Sequence, residues 1–186
     1  MAVSFEEFFG LESKSEQVKA AEKELKKQEK EEKKNKKYYD RTAIDETGAL
    51  YRMIMGSRSN GKTYSICRTA VERYFAAGER LAYVRRYDEE IMPKNLASLF
   101  DPHKNLIISL SQGRYNGVSY RAKEFHFCFY DEEGKIQEKD PEAFCITASI
   151  NTSMTTKGAD RGEVKRIVFD EFMTRDRYLK DEFVMF

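Results

Sequence analysis

The sequence is short of cysteine and histidine. Its three cysteines, Cys67, Cys128 and Cys145, are widely spaced and include no C-x-x-C pair. An odd number so arranged argues against a disulfide framework and against a cysteine zinc site, so each reads as a small buried hydrophobe in a reducing compartment. The two histidines, His103 and His126, lie far apart with no cysteine partner beside them, which argues against a structural metal. No apolar run approaches the length that spans a bilayer. The N-terminal stretch MAVSFEEFFGLESKSEQ carries acids where a secretory signal carries bases. The expected compartment is the cytoplasm, with no membrane partner. Net charge is nearly absent too: 33 Lys and Arg face 32 Asp and Glu, leaving +1. That balance names no partner for the chain as a whole, although it is compatible with a local basic patch.

What is present fits one globular domain: 186 residues, 40% of them apolar. Charged residues reach 35%, above the usual quarter, so some segment must be heavily solvated. Residues 12–37, ESKSEQVKAAEKELKKQEKEEKKNKK, are that segment. Val18, Ala21 and Leu25 give it only a thin apolar stripe, while strong helix formers and Glu–Lys pairs support a solvated helix. Residues 1–37 therefore read as a charged helical arm that hangs in solvent, and the rest should fold without it. A second reading makes it a docking arm for a ring neighbour or another protein, with FEEFF as its apolar anchor. The interleaved glutamates weigh against nucleic-acid binding by its Lys-rich end.

The globular part, 38–186, opens with LYRMIM (50–55), an apolar run ending at Gly56 as a buried strand would. KTYSICRTAVERYFAAG then places Ile66, Ala70, Tyr74 and Ala77 at helical spacing, with Gly78 where a helix C-terminal glycine belongs. RLAYVRRY (80–87) reads as the next strand, which completes a βαβ unit and implies a parallel sheet. Between 105 and 149, NLIISLS, GVSY, EFHFCFY and AFCITAS read as short strands, with YNG and DEEGK as turns and at least one hairpin. KRIVFDEF (165–172) is a last strand ending in two acids.

Chemistry concentrates in GSRSNGKT. Gly56, Gly61, Lys62 and Thr63 fit G-x-x-x-x-G-K-[ST] in full. The glycines let the backbone turn its N–H groups toward a phosphate, and the following helix adds its positive end. With glycine near 7% of residues, a chance match in this length is on the order of 1%. The nucleotide-binding set is Gly56, Ser57, Arg58, Ser59, Asn60, Gly61, Lys62, Thr63 and Tyr64. Lys62 should reach the β- and γ-phosphates of ATP, and the Thr63 hydroxyl should bind Mg²⁺. In RIVFDEF, Asp170 would share that Mg²⁺ and Glu171 would activate the attacking water. Arg58, inside the loop, can touch the γ-phosphate and report its loss. Lys62, Arg58 and Glu171 are the catalytic candidates. A small-molecule kinase has no need of a hydrolytic glutamate beside the metal aspartate; a motor ATPase does.

GSRSNGKT, YVRRY (83–87) and IVFDEF (167–172), in that order, resemble the DNA-packaging ATPases of small podoviruses of the phi-twenty-nine type. They are more distantly similar to the ATPase domain of large terminases, as is KGADRG (157–162) before the last strand. The resemblance implies an α/β P-loop NTPase of the additional-strand, catalytic-glutamate type: a mainly parallel sheet between helices with a β-hairpin insertion. It further implies an ATP-hydrolysing motor that drives double-stranded DNA into a preformed capsid. The motor would be a homo-oligomeric ring at the portal protein in the host cytoplasm, with a packaging RNA as a further neighbour in some members. Arg85, Arg86, Lys157 and Arg161 become candidate contacts with DNA or a neighbouring subunit. For Arg85 and Arg86, ion pairing with Asp88, Glu89 or Glu90 is the simpler alternative. The family places a coupling strand, a trans-acting arginine and a nuclease-like domain after the acidic strand, so this sequence reads as an N-terminal ATPase part with slow turnover by itself. Two rival readings remain: a helicase-like or partition ATPase, and a nucleotide-binding switch without motor activity.

Overall fold

A left-handed glycine marks each end of the helix that anchors the fold. In the computed structural model, α3 (Lys62–Ala77) starts after Gly61, at φ 86°, and stops at Gly78, at φ 67°, whose N–H donates to the Tyr74 carbonyl. Any other L-residue would pay about 1–2 kcal/mol for that backbone. The structure describes residues 5–35, 41–57, 60–152, 163–173 and 178–180, with side chains in the first helix from 15 to 30. The buried face of α3 is Cys67, Ala70 and Val71, with Tyr74 packed beside them; Ala77 is exposed.

That face rests on a six-stranded mixed sheet with the order β2-β3-β5-β1-β6. The strands are β1 (Leu81–Arg85), β2 (Gly117–Arg121), β3 (Glu124–Tyr130), β4 (Ile136–Lys139), β5 (Cys145–Ser149) and β6 (Arg166–Phe169). β1 pairs in parallel with β5 on one side and β6 on the other, whereas β3 pairs antiparallel with β2, β4 and β5. The expected mainly parallel sheet is thus corrected to a mixed one. The hairpin expected between 105 and 149 is present, in β2–β3 and again in β3–β4, and its strands join the main sheet. The β3–β4 connection turns at DEEGK, where Gly134 takes φ 76° and the Asp131 and Lys135 backbones bond to each other.

Alternation along the strands sorts side chains to two faces. Leu81 and Tyr83 of β1, Cys145 of β5, and Phe125 and Phe127 of β3 join Phe100 and Phe144 in the main core under α3 and α5 (Lys104–Leu110). Phe127 and Phe144 stack with centroids 4.0 Å apart, and Phe100 meets Phe125 and Phe144 edge-on. The opposite face carries a smaller cluster of Ala82, Ala143 and Ile146 with Val164. Among the described residues, side chains of α1 (Phe5–Asn35), α3 and α5 join the main core, and none from a helix joins the smaller cluster.

Three further expectations change. NLIISLS is helical, not a strand: it forms α5 after a 3₁₀ turn, Asp101–His103, with Pro102 at its second position. A short apolar run fits a buried helix as well as a strand, and its neighbours decide. LYRMIM forms no strand. Leu50, Tyr51, Met53 and Met55 are all exposed, and the segment is tied instead to Asp45, which accepts from Arg52 and Arg41. No described strand offers it a ladder, so the anticipated βαβ unit is absent. The charged arm forms α1 (Phe5–Asn35) and is not a free tail. Ala21 is buried against the α5 side, Leu25 packs on the main core, and Glu29 pairs with Arg68 at 2.9 Å. The domain boundary drawn between 37 and 38 and the FEEFF side chains lie outside what the structure describes.

Candidate functional site

The loop ahead of α3 is shaped by close contacts around Lys62. Its Nζ donates to the carbonyls of Gly56 at 3.0 Å and Ser57 at 2.7 Å, and to Asn60 Oδ1 at 3.0 Å. A Cβ on Gly56 would stand 2.8 Å from Asn60 Nδ2 and 3.6 Å from Lys62 Nζ, so a larger residue there would push the end of the Asn60 side chain aside. All three acceptors are neutral, which leaves the ammonium charge uncompensated at the N-terminus of a sixteen-residue helix. Positive charge and a helix N-terminus together favour an anion.

The acidic strand reaches the same point. β6 pairs with β1 in register, Val84 opposite Phe169, and Asp170 N–H then donates to Val84 O at 3.1 Å. Two-residue alternation puts Arg166, Val168 and Asp170 on the face that carries α3. Thr63 Oγ1 consequently donates to Asp170 Oδ2 at 3.1 Å, across 107 residues of chain. Glu171 follows at φ 55°, an unusual backbone for a non-glycine residue, and its N–H donates to Asp170 Oδ1 at 3.0 Å. Its side chain is 58% exposed. Tyr64 turns away from the loop and packs on His103, with ring centroids 4.4 Å apart.

Arg85 and Arg86 face inward. Arg85 Nη2 lies 3.1 Å from Glu171 Oε2 and 3.5 Å from Glu90 Oε1, while Nη1 lies 3.5 Å from Asp170 Oδ2. Glu90 was one of the anticipated ion-pair partners; the two site acids were not. Arg86 is only 4% exposed, donates to the Glu171 and Phe172 carbonyls at 3.3 and 2.6 Å, and lies over the rings of Phe169 and Tyr178. In this arrangement Arg86 clamps the backbone that carries Glu171 and presents no surface to DNA. Arg58, Ser59, Lys157 and Arg161 lie outside the described residues.

The family model of the podovirus DNA encapsidation protein (Gp16) matches residues 33–185. The chain belongs to that family. Two solved structures share the fold of this encapsidation-family chain, each 19% identical to it and each matching 80% of it. One is the N-terminal domain of the DNA packaging ATPase from bacteriophage phi29, with a TM-score of 0.59 over 68% of that chain. The other is the bacteriophage Phi-29 viral genome packaging motor assembly, with a TM-score of 0.58. The encapsidation-family chain spans 40% of the length of the chain it matches there. No curated protein matches it in sequence. Among its described residues, no helix is long and apolar enough to cross a membrane, and no group of three or more His, Cys, Asp or Glu side chains is arranged to hold a metal ion by itself.

Residues that sequence reasoning passed over complete the site. Tyr83 OH donates to Asp170 Oδ2 at 2.5 Å. Burial, with the Asp170 charge and hydrogen bond behind it, pushes the Tyr83 phenol well above its ordinary range, so it stays a protonated donor. Cys67 lies in the same neighbourhood and is likewise pushed up, by burial first and Asp170 second. The signal for Tyr83 was alternation in YVRRY, since it shares a face with Arg85.

Proposed function

We propose that this chain is a P-loop ATPase of the additional-strand, catalytic-glutamate type, the ATP-hydrolysing part of a phage DNA-packaging motor. The observation that carries the reading is the meeting of Thr63 Oγ1 and Asp170 Oδ2 at 3.1 Å beside the N-terminus of α3. Two oxygen donors with no nitrogen or sulfur ligand suit a magnesium ion, which takes one or two protein oxygens and completes its shell with water and phosphate. Thr63 and Asp170 would hold such an ion, and it would supply charge neutralisation as the phosphoanhydride bond breaks.

The chain's own residues supply the rest. Lys62 exchanges its carbonyl partners for phosphate oxygens, a stronger charge-assisted contact. The N–H groups of the loop between Gly56 and Thr63 would face the triphosphate, with Arg58 and Ser59 as expected further contacts. Glu171 accepts a proton from the attacking water, whose oxygen bonds to the γ-phosphorus as ADP leaves. In the structure Arg85 occupies the Glu171 carboxylate. A guanidinium on that oxygen lowers the basicity of the carboxylate, so hydrolysis should be slower while the contact holds.

Membership of a DNA encapsidation family supports DNA as the polymer moved, and the match to a packaging motor assembly supports a motor of several components. The proposed form is a homo-oligomeric ring on double-stranded DNA at a portal protein, with a packaging RNA as a further neighbour in some members. Lys157 and Arg161 remain the candidate DNA or subunit contacts. The test is steady-state hydrolysis of Mg–ATP by the chain assembled with portal-bearing capsids and double-stranded DNA. Glu171→Gln should keep nucleotide binding and lower turnover by about 10²–10⁴-fold. A variant that turns over like the parent removes Glu171 from the mechanism, and no portal dependence would favour a helicase-like remodeller.

A further inference from the structure

We propose that Tyr83 is a positioning residue that holds Asp170 in its cation-binding orientation against capture by Arg85. The inference rests on the nucleotide reading above and deepens it. Asp170 Oδ2 has three suitors. Thr63 Oγ1 donates at 3.1 Å, Tyr83 OH donates at 2.5 Å, and the Arg85 guanidinium waits at 3.5 Å. Oδ1 is occupied by the Glu171 N–H. Thr63 and Tyr83 both approach from the α3 face, so together they fix Oδ2 toward the phosphate loop.

The competition is between a neutral donor and a cation. Tyr83 is 2% exposed and its ring is packed in the main core, so its hydroxyl cannot wander. A phenol satisfies the carboxylate oxygen without cancelling its charge, which remains available to a divalent ion. Arg85 would cancel it. It already reaches Glu171 and Glu90, and its Nε is buried without a hydrogen-bond partner among the described residues. A modest rotation of an unrestrained Asp170 would give the guanidinium a closer carboxylate. Outer-shell donors of this kind typically affect metal affinity by about 10–100-fold when removed.

The experiment is a titration of Mg²⁺ into the full chain with a fluorescent, non-hydrolysable ATP analogue, for the parent, Tyr83→Phe and the double variant Tyr83→Phe with Arg85→Met. Manganese binding followed by electron paramagnetic resonance gives a second readout free of nucleotide fluorescence. Tyr83→Phe keeps the ring and its packing, so its thermal midpoint and its metal-free nucleotide affinity should match the parent. The half-saturating Mg²⁺ concentration should rise about tenfold or more, and removing Arg85 should restore most of it. A half-saturation within twofold of the parent, or a Tyr83→Phe loss that Arg85→Met leaves untouched, overturns the proposal. A parent that binds the analogue with no metal dependence overturns the nucleotide reading itself, and this proposal with it.

Discussion

The two ends of the sheet are built on different physics. At the β2–β3–β5 end, fully buried aromatics pack on one another: Phe125, Phe127 and Phe144 expose nothing. At the β1–β6 end, long-range polar contacts do the positioning. Tyr83, Thr63 and Arg85 converge on two carboxylates, Ile167 of β6 is 62% exposed, and Leu50 to Met55 run beside the loop without a ladder. One end is finished within this chain, whereas the other trades burial for a charged site. Left-handed non-glycine residues occur at both ends, Glu171 at the second and Ala122 and Lys123 in the β2–β3 turn at the first, so backbone strain does not separate them.

The contrast is broken most forcefully at the aromatic end. Phe127→Ala should cost about 3–5 kcal/mol, because stacking on Phe144 and contacts with Phe75 and Tyr74 vanish together and leave a cavity. Chemical denaturation checks this through the midpoint at constant slope. The next effect is one of pH, at the contact between the two regions. His103 is buried against Tyr64, and burial first, then the Arg68 charge, lowers its pKa to about 4. The unfolded chain binds that proton more readily, so this stability is fully present above about pH 6.5 and is lost as pH falls from there toward 4. The loss should reach roughly 3 kcal/mol at most, and His103→Phe should flatten that part of the thermal-midpoint curve. A curve with the same slope in the variant would assign the acid sensitivity elsewhere. The smallest effect lies at the open end. Leu50→Ser and Met53→Ser should each stay within about 0.5 kcal/mol of the parent, since both side chains are already in water. A larger loss would show that the 50–55 run is covered in solution and that the two ends are more alike than described.

The same division governs what could be read from the sequence. Local signals held. Gly61 and Gly78 framed α3, the apolar runs gave β1, β3, β5 and β6, and G-x-x-x-x-G-K-T fixed the loop next to the helix start. Each depends on neighbours a few residues away. LYRMIM and NLIISLS failed for one reason: an apolar hexamer or heptamer is a strand only if partners exist on its flanks, and flanks are a property of the whole sheet. α1 was misjudged because two small contacts, Ala21 and Leu25, are enough to dock a helix that is otherwise polar. The DEEGK turn announced an antiparallel hairpin, but not that β3 would also pair antiparallel with β5 and so make the main sheet mixed. The pairing of Arg85 with Glu171 and of Tyr83 with Asp170 joins residues 86 and 87 positions apart, which no spacing rule reaches. Alternation within YVRRY was the single clue, and it acquires meaning only once β6 is known to lie beside β1.

The central claim is that Lys62, Thr63 and Asp170 form a site for a metal-bound triphosphate. Isothermal calorimetry of Mg–ATP with the parent and Lys62→Ala tests it most directly. The parent should bind with affinity that depends on magnesium. Lys62→Ala should lose that binding while keeping its thermal midpoint, because among the described residues the Lys62 ammonium bonds only to loop carbonyls and Asn60. Equal affinity in the two proteins, or no binding by a folded parent, would contradict the account.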